Sequence, residues 1–397
     1  MATICLVLDE LYPFTSGGIG RLAYNVLQFE KQRGVHEFHV LMPTRRAIDP
    51  VRFAQVFGDT IHLHTVELKP TLAARWRMAL ADLSTLTKPQ GQALVESHAI
   101  LQSLEGLAAH GRRFDLVEFT DYFGWAFATA KHKPQRLRDT LVSVRMHSGF
   151  GVLMSSQPSH LGPSDDFMVR LERRAVRNAD VCIAHLRPVS DYMKRYYACD
   201  DDSRPRFVTA LPPVVWPRPS AATTVTRRHE PNLWFLSKIQ RVKNPELFVA
   251  GCVEFFSRHP TYGGRAILAC HAFEQEYRTE VLAQVPSGFD DKILFREPLS
   301  QAEWKAEVGG AIVVVPSRFE SLNLLAYEAV AAGAIVCLNE ACLAFGDDTP
   351  FIDQYNCFKF EPQARAVADA LERAAFGPIN LTTAVPPPDA PYWDRLS

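Results

Sequence analysis

The sequence predicts an α/β fold with two domains, each built on a doubly wound parallel β-sheet. The chain has 397 residues, which is too long for one ordinary domain and suits two or three. Short continuous apolar runs alternate with longer helical patterns, as in parallel strands that helices cover on both faces. A segment rich in proline, serine and threonine interrupts this alternation, which then restarts. We therefore expect two similar α/β halves joined by a linker.

The apolar runs place the predicted strands in both halves. In the first half they lie at 4–8, 38–42, 116–119, 141–144, 181–184 and 207–210, with helical stretches at 19–31 and 167–178. In the second half they lie at 233–236, 266–269, 293–295, 311–315 and 334–338, with helical stretches at 245–258, 274–284, 300–308 and 322–332. Ligands of open parallel sheets bind beyond the carboxyl ends of the strands, so we expect a ligand cleft between the halves.

These patterns set the predicted domain limits. The N-terminal domain spans 1–211, an extended linker spans 212–231, and the C-terminal domain spans 232–375. The tail, 376–397, is rich in proline but contains two adjacent aromatic residues. Aromatic side chains in a terminal segment favour docking over disorder, so we expect the tail to pack back on the N-terminal domain.

The charge balance narrows the classes of partner. Lys plus Arg number 43 and Asp plus Glu number 44, so the chain lacks the basic excess of a general nucleic-acid binder. Hydrophobic residues make up 47% and charged residues 22%, which is typical of a soluble globular protein.

The N-terminal sequence indicates where in the cell the protein is expected, and the cysteine pattern indicates whether a zinc site or disulfides are expected. No signal-peptide pattern is present, and no apolar window approaches the ~20 residues of a spanning helix. We expect a cytoplasmic protein, with peripheral contact at the inner face of the membrane and further domains in a longer native chain left open. The eight cysteines are scattered without a CxxC pair, which predicts buried thiols rather than a zinc site or disulfides.

The strongest motif runs from Pro316 to Ala329, directly after a predicted strand. A strand end, a loop of small residues and a helix start together form an anion site, because free backbone N–H groups and the helix dipole favour negative charge. With a helix start near Ser321, Glu328 lies about two turns in, on the same face as Glu320. Such a carboxylate can accept hydrogen bonds from the two hydroxyls of a ribose. A surface helix with two solvated acids is the other interpretation.

A second motif follows the first strand of the C-terminal half. Its loop carries Lys238, Arg241 and Lys243, and Pro245 then begins a helix. Cations gathered at one strand end can clamp a diphosphate. A solvated charged loop is the plainer interpretation.

Two further segments follow strands of the N-terminal half. The glycines of 17–20 allow a ligand to approach the backbone, although the segment departs from the GxGxxG pattern and also suits a tight turn. His147 follows the strand 141–144, a position where a ligand group and a structural histidine are both reasonable.

Together the four segments resemble the family-4 retaining glycosyltransferases over roughly residues 1–375, in order, spacing and strand-end placement. The resemblance implies the GT-B fold, in which two Rossmann-like domains face each other across a cleft. It implies transfer of a hexosyl group from a nucleotide sugar to a hydroxyl of a glycan, lipid-linked or other acceptor, with retained anomeric configuration. A UDP-sugar is the favoured donor and GDP-mannose the next. No metal or other cofactor is expected, because basic side chains and helix dipoles take the place of the metal.

The resemblance also implies roles for individual residues. The implied catalytic residues are His147, Lys238, Lys243 and Glu320, the lysines on the donor diphosphate and the other two near the transferred sugar. The implied donor-binding residues, besides both lysines, are Gly18, Ile19, Gly20, Ser237, Ser321, Leu322, Asn323, Leu324 and the ribose-binding Glu328. Residues near strand ends of the N-terminal domain are expected to face the acceptor: Glu118, Asp121, Tyr122 and Arg145.

Three departures from the family pattern keep other functions open. Ser237-Lys238 stands where the family usually has Gly-Arg, Ser321-Leu322-Asn323 where it often has Gly-Phe-Gly, and Pro212-Pro213 where it has Asn-Gly. Lysine lacks the bidentate geometry of arginine. The main alternative is a catalytically degenerate module that binds a nucleotide or sugar as a scaffold or partner subunit. A GT-B epimerase or phosphorylase is a third.

Overall fold

The computed structural model describes residues 1–44, 48–68, 91–156, 162–199, 205–219, 221–270 and 275–396. The chain forms two compact units. Unit 1 consists mainly of the residues up to Trp216 together with those from Pro388 onward, and unit 2 consists mainly of Pro217–Pro387.

Unit 1 contains a seven-stranded parallel sheet in the order β3-β2-β1-β4-β5-β6-β7. Its strands are β1 Thr3–Val7, β2 Glu37–Pro43, β3 Ile61–Val66, β4 Leu116–Thr120, β5 Leu141–Arg145, β6 Val181–Ala184 and β7 Arg206–Thr209. The helices are α1 Gly18–Arg33, α2 Pro50–Phe57, α3 Gly91–Ala109, α4 Phe127–His132, α5 Phe150–Ser155, α6 Pro163–Asn178 and α7 Arg187–Tyr197.

Unit 2 contains a six-stranded parallel sheet in the order β10-β9-β8-β11-β12-β13. Its strands are β8 Leu233–Phe235, β9 Ala266–Ala269, β10 Ile293–Arg296, β11 Ile312–Val315, β12 Ile335–Asn339 and β13 Phe358–Phe360. The helices are α8 Pro245–Arg258, α9 Gln275–Leu282, α10 Gln301–Glu307, α11 Leu324–Ala331 and α12 Ala364–Phe376.

Each sheet has its own topological switch point. Counted within each unit, the first six strands follow the order 3-2-1-4-5-6 of a doubly wound Rossmann sheet. The chain therefore leaves in opposite directions from β1 and β4 in unit 1, and from β8 and β11 in unit 2. The crevices outside the carboxyl ends of these strand pairs are the expected ligand sites.

The predicted strands are confirmed, and two strands were missed. Both missed strands, β3 and β13, are edge strands. β3 reads Ile-His-Leu-His-Thr-Val, with polar residues at alternate positions, and β13 has three residues. The continuous apolar runs that predict a parallel strand arise from burial on both faces, and an edge strand escapes that requirement.

The C-terminal tail packs within unit 1. The indole of Trp393 is buried, with its ring centroid 5.5 Å from that of Phe38. Asp394 accepts hydrogen bonds at 2.8 Å from the Arg33 guanidinium and pairs with the His36 imidazole, also at 2.8 Å. These polar contacts join the tail to the end of α1 and the start of β2.

Within the described ranges, none of the helices combines the length and apolar character needed to cross a bilayer. Seven of the eight cysteines are buried, and Cys199 is partly exposed.

Candidate functional site

In unit 2, two loops lie side by side because the strands before them are neighbours. β8 and β11 pair in parallel, so the loops that follow them leave the same edge of the sheet. The backbone N–H of Arg318 donates to the carbonyl of Val242 at 2.8 Å, which joins the loops directly. Asn244 takes the left-handed conformation at φ 57°, and Pro245 then begins α8.

Lys243, Glu320 and Asn323 form one polar network at this edge. The Lys243 ammonium donates to Glu320 Oε1 at 2.7 Å, and the Asn323 amide donates to the same oxygen at 2.9 Å. The side chain of Lys243 is 22% exposed and that of Glu320 is 8% exposed. The network therefore presents the Lys243 ammonium at the edge of the crevice. The Glu320 carboxylate that holds this ammonium is itself held by Asn323.

α11 begins later than expected, at Leu324 rather than near Ser321. The Asn323 side chain accepts the Ala326 N–H at 2.9 Å and caps the helix, so the residues before it remain loop. Glu328 is consequently little more than one turn into α11 instead of two, and it is half-buried. The amides at the helix start are those of Leu324 and its successor, while Ser321 and Leu322 lie in the loop.

The basic residues of the first loop have different surroundings. Arg241 donates to Glu280 at 2.8 Å and lies 4.3 Å above the ring of Tyr277, so it is directed towards α9. Ser237 and Lys238 are half-buried, and no carboxylate of the described residues lies within ion-pair distance of Lys238. Of the three predicted cations, Arg241 is thus engaged with α9, and anion binding by Lys238 and Lys243 stays a prediction.

Arg318 is a structural contributor to this edge that the sequence interpretation missed. Its guanidinium donates to the carbonyl of Arg241 at 3.2 Å, to Asn244 Oδ1 at 2.9 Å and to Glu246 Oε1 at 3.0 Å. It fastens the loop after β11 to the loop after β8 and to the first turn of α8. Arg318 lies inside the predicted motif, two residues before Glu320, and this position is the signal that was available.

In unit 1, Asp121 organises the loop that carries His147. β4 and β5 are neighbours, and Asp121 follows the first of them. Its carboxylate accepts the backbone N–H of His147 at 2.9 Å, of Ser148 at 3.1 Å and of Gly149 at 2.8 Å. Ser148 has φ 82°, an unfavourable backbone conformation that these bonds hold in place. Burial raises the pKa of Asp121 to about 7, although the three amides oppose the shift.

Glu172, which the sequence interpretation did not single out, has a similar role. It is buried on α6 and accepts the N–H groups of Phe123 at 3.1 Å, Phe150 at 2.9 Å and Gly151 at 3.0 Å. It therefore ties the turn after β4 to the start of α5. Burial raises its pKa to about 8. A glutamate amid an apolar helix face at 171–176 was the available signal.

The raised pKa of Glu172 predicts a pH dependence of stability. A carboxyl group whose pKa is higher in the folded than in the unfolded state binds more protons when folded, so its contribution is present at low pH. That contribution is lost as the pH rises from about 4.5 through about 8. We expect the wild-type unfolding free energy to fall relative to Glu172→Gln over pH 5–8, measured by urea unfolding. Parallel pH curves for the two proteins would contradict the assignment.

The residues expected to face the acceptor have partners inside unit 1. Arg145 makes a bidentate ion pair with Glu118, at 2.6 Å and 2.9 Å, and both side chains are buried. The Arg145 guanidinium also lies 5.7 Å from the centroid of the Trp393 ring. Tyr122 is half-buried and packs against Phe123. Acceptor contact by these groups remains a prediction.

His147 has a neutral imidazole at ordinary pH. Burial, assisted by the nearby Arg145 charge, lowers its pKa to about 3. Its ring centroid lies 5.1 Å from that of the buried His185. A neutral imidazole offers one donor and one acceptor nitrogen, which suits a hydroxyl group better than a phosphate.

The glycine loop after β1 combines turn geometry with open backbone. Gly17 has φ 147°, and a Cβ there would meet the Glu10 carboxylate at 1.8 Å. A Cβ on the buried Gly20 would come within 2.9 Å of the Glu10 backbone. Gly18 has open space around it and begins α1, with Ile19 next in the helix. The loop therefore forms the tight turn that the glycines suggested. It also leaves the N-terminus of α1 accessible at Gly18.

Comparison with known proteins finds relatives of one architecture. No model of a protein family matches the chain. A D-inositol 3-phosphate glycosyltransferase of Corynebacterium diphtheriae is 26% identical over 181 residues, which cover 42% of this chain and 41% of that protein. The chain thus matches about two-fifths of that curated relative.

Two solved structures match over nearly the whole chain. Sucrose-phosphate synthase from Thermosynechococcus elongatus has a TM-score of 0.62 at 17% identity, covering 94% of this chain and 89% of its own. The catalytic domain of starch synthase IV from Arabidopsis thaliana, bound to ADP and acarbose, has a TM-score of 0.62 at 13% identity, covering 94% and 91%. The predicted resemblance to glycosyltransferases is confirmed, and the chain has the GT-B fold.

Proposed function

We propose that this protein is a retaining glycosyltransferase that moves a hexosyl group from a nucleotide sugar to an acceptor hydroxyl. The observation that carries the proposal is the network of Lys243, Glu320 and Asn323 at the switch point of the unit 2 sheet. The network stands where the N-terminus of α11 adds its dipole. An ammonium group and a helix N-terminus at one strand edge suit a diphosphate.

The residues divide the proposed reaction between them. As the bond from the sugar carbon to the diphosphate oxygen breaks, negative charge grows on the leaving group, and Lys243 and Lys238 stabilise it. Glu320 holds the Lys243 ammonium at 2.7 Å and so fixes where that charge acts. The acceptor oxygen bonds to the sugar carbon, and the proton of its hydroxyl passes to the departing diphosphate oxygen. His147 contacts the transferred sugar as a neutral hydrogen-bonding group.

The donor and acceptor follow from the resemblance and the relatives. We favour UDP-sugars as donors, with GDP-mannose next, and no metal. The acceptor is a hydroxyl of a glycan, a lipid-linked glycan or another molecule. The curated relative is named for an inositol phosphate and the sucrose-phosphate synthase for a phosphorylated product, so phosphorylated polyols and sugars belong in the acceptor screen.

Turnover tests the proposal. The full chain is incubated with UDP- and GDP-sugars and an acceptor panel without metal, and release of nucleoside diphosphate is measured with and without acceptor. Acceptor-dependent release, with a product of the donor's anomeric configuration by NMR, is expected. Nucleotide binding without any turnover would favour the scaffold alternative. Consumption of donor without acceptor would favour an epimerase, and a requirement for free phosphate would favour a phosphorylase.

Glu328 provides a test of the ribose assignment. Glu328→Ala removes a charged acceptor of two hydroxyl hydrogen bonds, so donor affinity should fall by roughly 10- to 150-fold, or ~1.5–3 kcal/mol. Calorimetric titration with the nucleotide measures this loss. Glu361→Ala, at an exposed position of unit 2, is the control and should retain wild-type affinity. Unchanged affinity in Glu328→Ala would refute the assignment.

A further inference from the structure

A cluster of histidines lies at the edge of the unit 1 sheet that β2 and β3 form, away from the switch point of that sheet between β1 and β4. Glu37 and His39 are two positions apart on β2, and His62 and His64 are two positions apart on β3. His39 pairs with His62 in the parallel register. Side chains two positions apart share a face of a strand. The register therefore gathers the carboxylate and the imidazoles on one face, near the amino ends of the strands.

The distances within this cluster match a metal's coordination shell. Glu37 Oε1 lies 3.2 Å from His39 Nε2 and 3.3 Å from His62 Nε2. All three ligand atoms lie within 4.8 Å of one another. Ligands held at about 2.0–2.1 Å by a tetrahedral Zn²⁺ stand about 3.3–3.4 Å apart along each edge. Two imidazole nitrogens and one carboxylate oxygen are also a donor set that Zn²⁺ and its neighbours accept.

His39 provides the second, independent observation. Its side chain is fully buried, and its Nε2 makes no hydrogen bond to the described residues, although Glu37 Oε1 lies 3.2 Å away. Its other nitrogen, Nδ1, lies 2.8 Å from His64 Nε2. When Nδ1 donates its proton to His64, the lone pair of His39 Nε2 faces Glu37. A hydrogen bond from the ring nitrogen that does not bind the metal, here Nδ1 of His39, is what orients metal-binding histidines in proteins.

The surroundings of the cluster permit an ion to enter. The His62 side chain is 37% exposed. The Thr3 hydroxyl donates to Glu37 Oε2 at 3.4 Å and leaves Oε1 towards the imidazoles. Arg112, half exposed, lies 3.9 Å from that same oxygen and is the cation that an entering metal would displace.

We propose that Glu37, His39 and His62 bind one divalent transition-metal ion of the Zn²⁺ class, with His64 orienting His39. Such an ion joins the edge strand β3 to β2. The site lies near the amino ends of the strands. The transfer reaction proposed above uses residues beyond the carboxyl ends, so the two sites are separate. The sequence signal of this site is Glu-X-His followed by His-X-His on neighbouring strands, and it contains no cysteine pair.

The test uses the full chain without a polyhistidine tag and Zn²⁺ alone as the probe. After chelator treatment and dialysis, calorimetry should show one Zn²⁺ per chain and no binding of Mg²⁺, which prefers oxygen ligands. His62→Ala and Glu37→Gln should each weaken Zn²⁺ binding by more than about tenfold, since loss of an outer-shell partner alone costs 10- to 100-fold. Arg112→Ala should strengthen it by removing the competing cation. Zn²⁺ should raise the melting temperature of the wild type but not of His62→Ala.

His229→Ala is the matched control, because that imidazole is 94% exposed and lies in unit 2. It should bind Zn²⁺ like the wild type. Absence of one-to-one binding in the wild type, or equal affinities in His62→Ala and His229→Ala, would overturn the proposal. Nucleotide binding measured on the same samples should be unchanged in every variant, which separates this proposal from the proposed function.

Discussion

Lys243→Ala is expected to lower the kcat of sugar transfer by about 10²- to 10³-fold, or ~2.7–4 kcal/mol of transition-state stabilisation. The ammonium group of Lys243 is a partly exposed cation at the switch point of unit 2, and in the proposed reaction it neutralises the leaving diphosphate. UDP binding should therefore weaken more than uridine binding. Steady-state kinetics and calorimetric titration with both ligands measure the two effects.

Two further variants separate a phosphate contact from a loss of stability. Lys243→Ala leaves the nearly buried Glu320 carboxylate without its ion-pair partner. Adding Glu320→Gln should recover the unfolding free energy but leave UDP binding weak. Lys292→Ala is the matched control, because that lysine precedes β10 at the amino end of the sheet. Equal losses of UDP and uridine affinity in Lys243→Ala would contradict the phosphate role.

Asp121→Ala is expected to destabilise unit 1 by about 3 kcal/mol or more. The substitution leaves the N–H groups of His147, Ser148 and Gly149 without their acceptor, and each buried unpaired group costs roughly 1–3 kcal/mol. The positive φ of Ser148 is then no longer held, so the imidazole of His147 should lose its position as well. Urea unfolding measures the first effect, and kcat with the preferred donor measures the second.

Asp121→Asn is the matched variant for this prediction. Its amide keeps one acceptor oxygen and the size of the side chain, so its loss of stability should be clearly smaller than that of Asp121→Ala. Glu361→Ala, exposed and remote in sequence, should have no effect. If Asp121→Ala unfolded at the same urea concentration as the wild type, the three amides would not depend on this carboxylate.

The central strands were predictable because a strand that is buried on both faces has a continuous run of apolar residues in the sequence. Their parallel order then places the ends of β8 and β11 together, which is why the sequence could group Lys243 with Glu320. The hydrogen bond between these side chains was not predictable. It depends on where the loops turn, and the left-handed conformation of Asn244 decides that for the first of them.

Other features depend on contacts between distant segments, which periodicity does not record. Arg241 looked equivalent to its neighbouring lysines in the sequence, yet it contacts Glu280 and Tyr277 on α9 instead. The later start of α11 depends on the cap that Asn323 forms. Glu172 acts on two loops that lie 21 and 49 residues before it. Polar residues with such partners resemble ordinary helix residues in a sequence.

Nucleotide binding by the full chain tests whether unit 2 is a nucleotide-sugar site. A thermal-shift titration with UDP, GDP, ADP and their common sugars, without metal, compares the wild type with Lys243→Ala and Lys292→Ala. A ligand that binds only the folded state adds ~2.7 kcal/mol at a hundredfold excess over Kd. We predict a clear upward shift with one nucleotide family, UDP first, that Lys243→Ala loses and Lys292→Ala retains. No shift with any nucleotide would contradict the account of unit 2 as a nucleotide-sugar site.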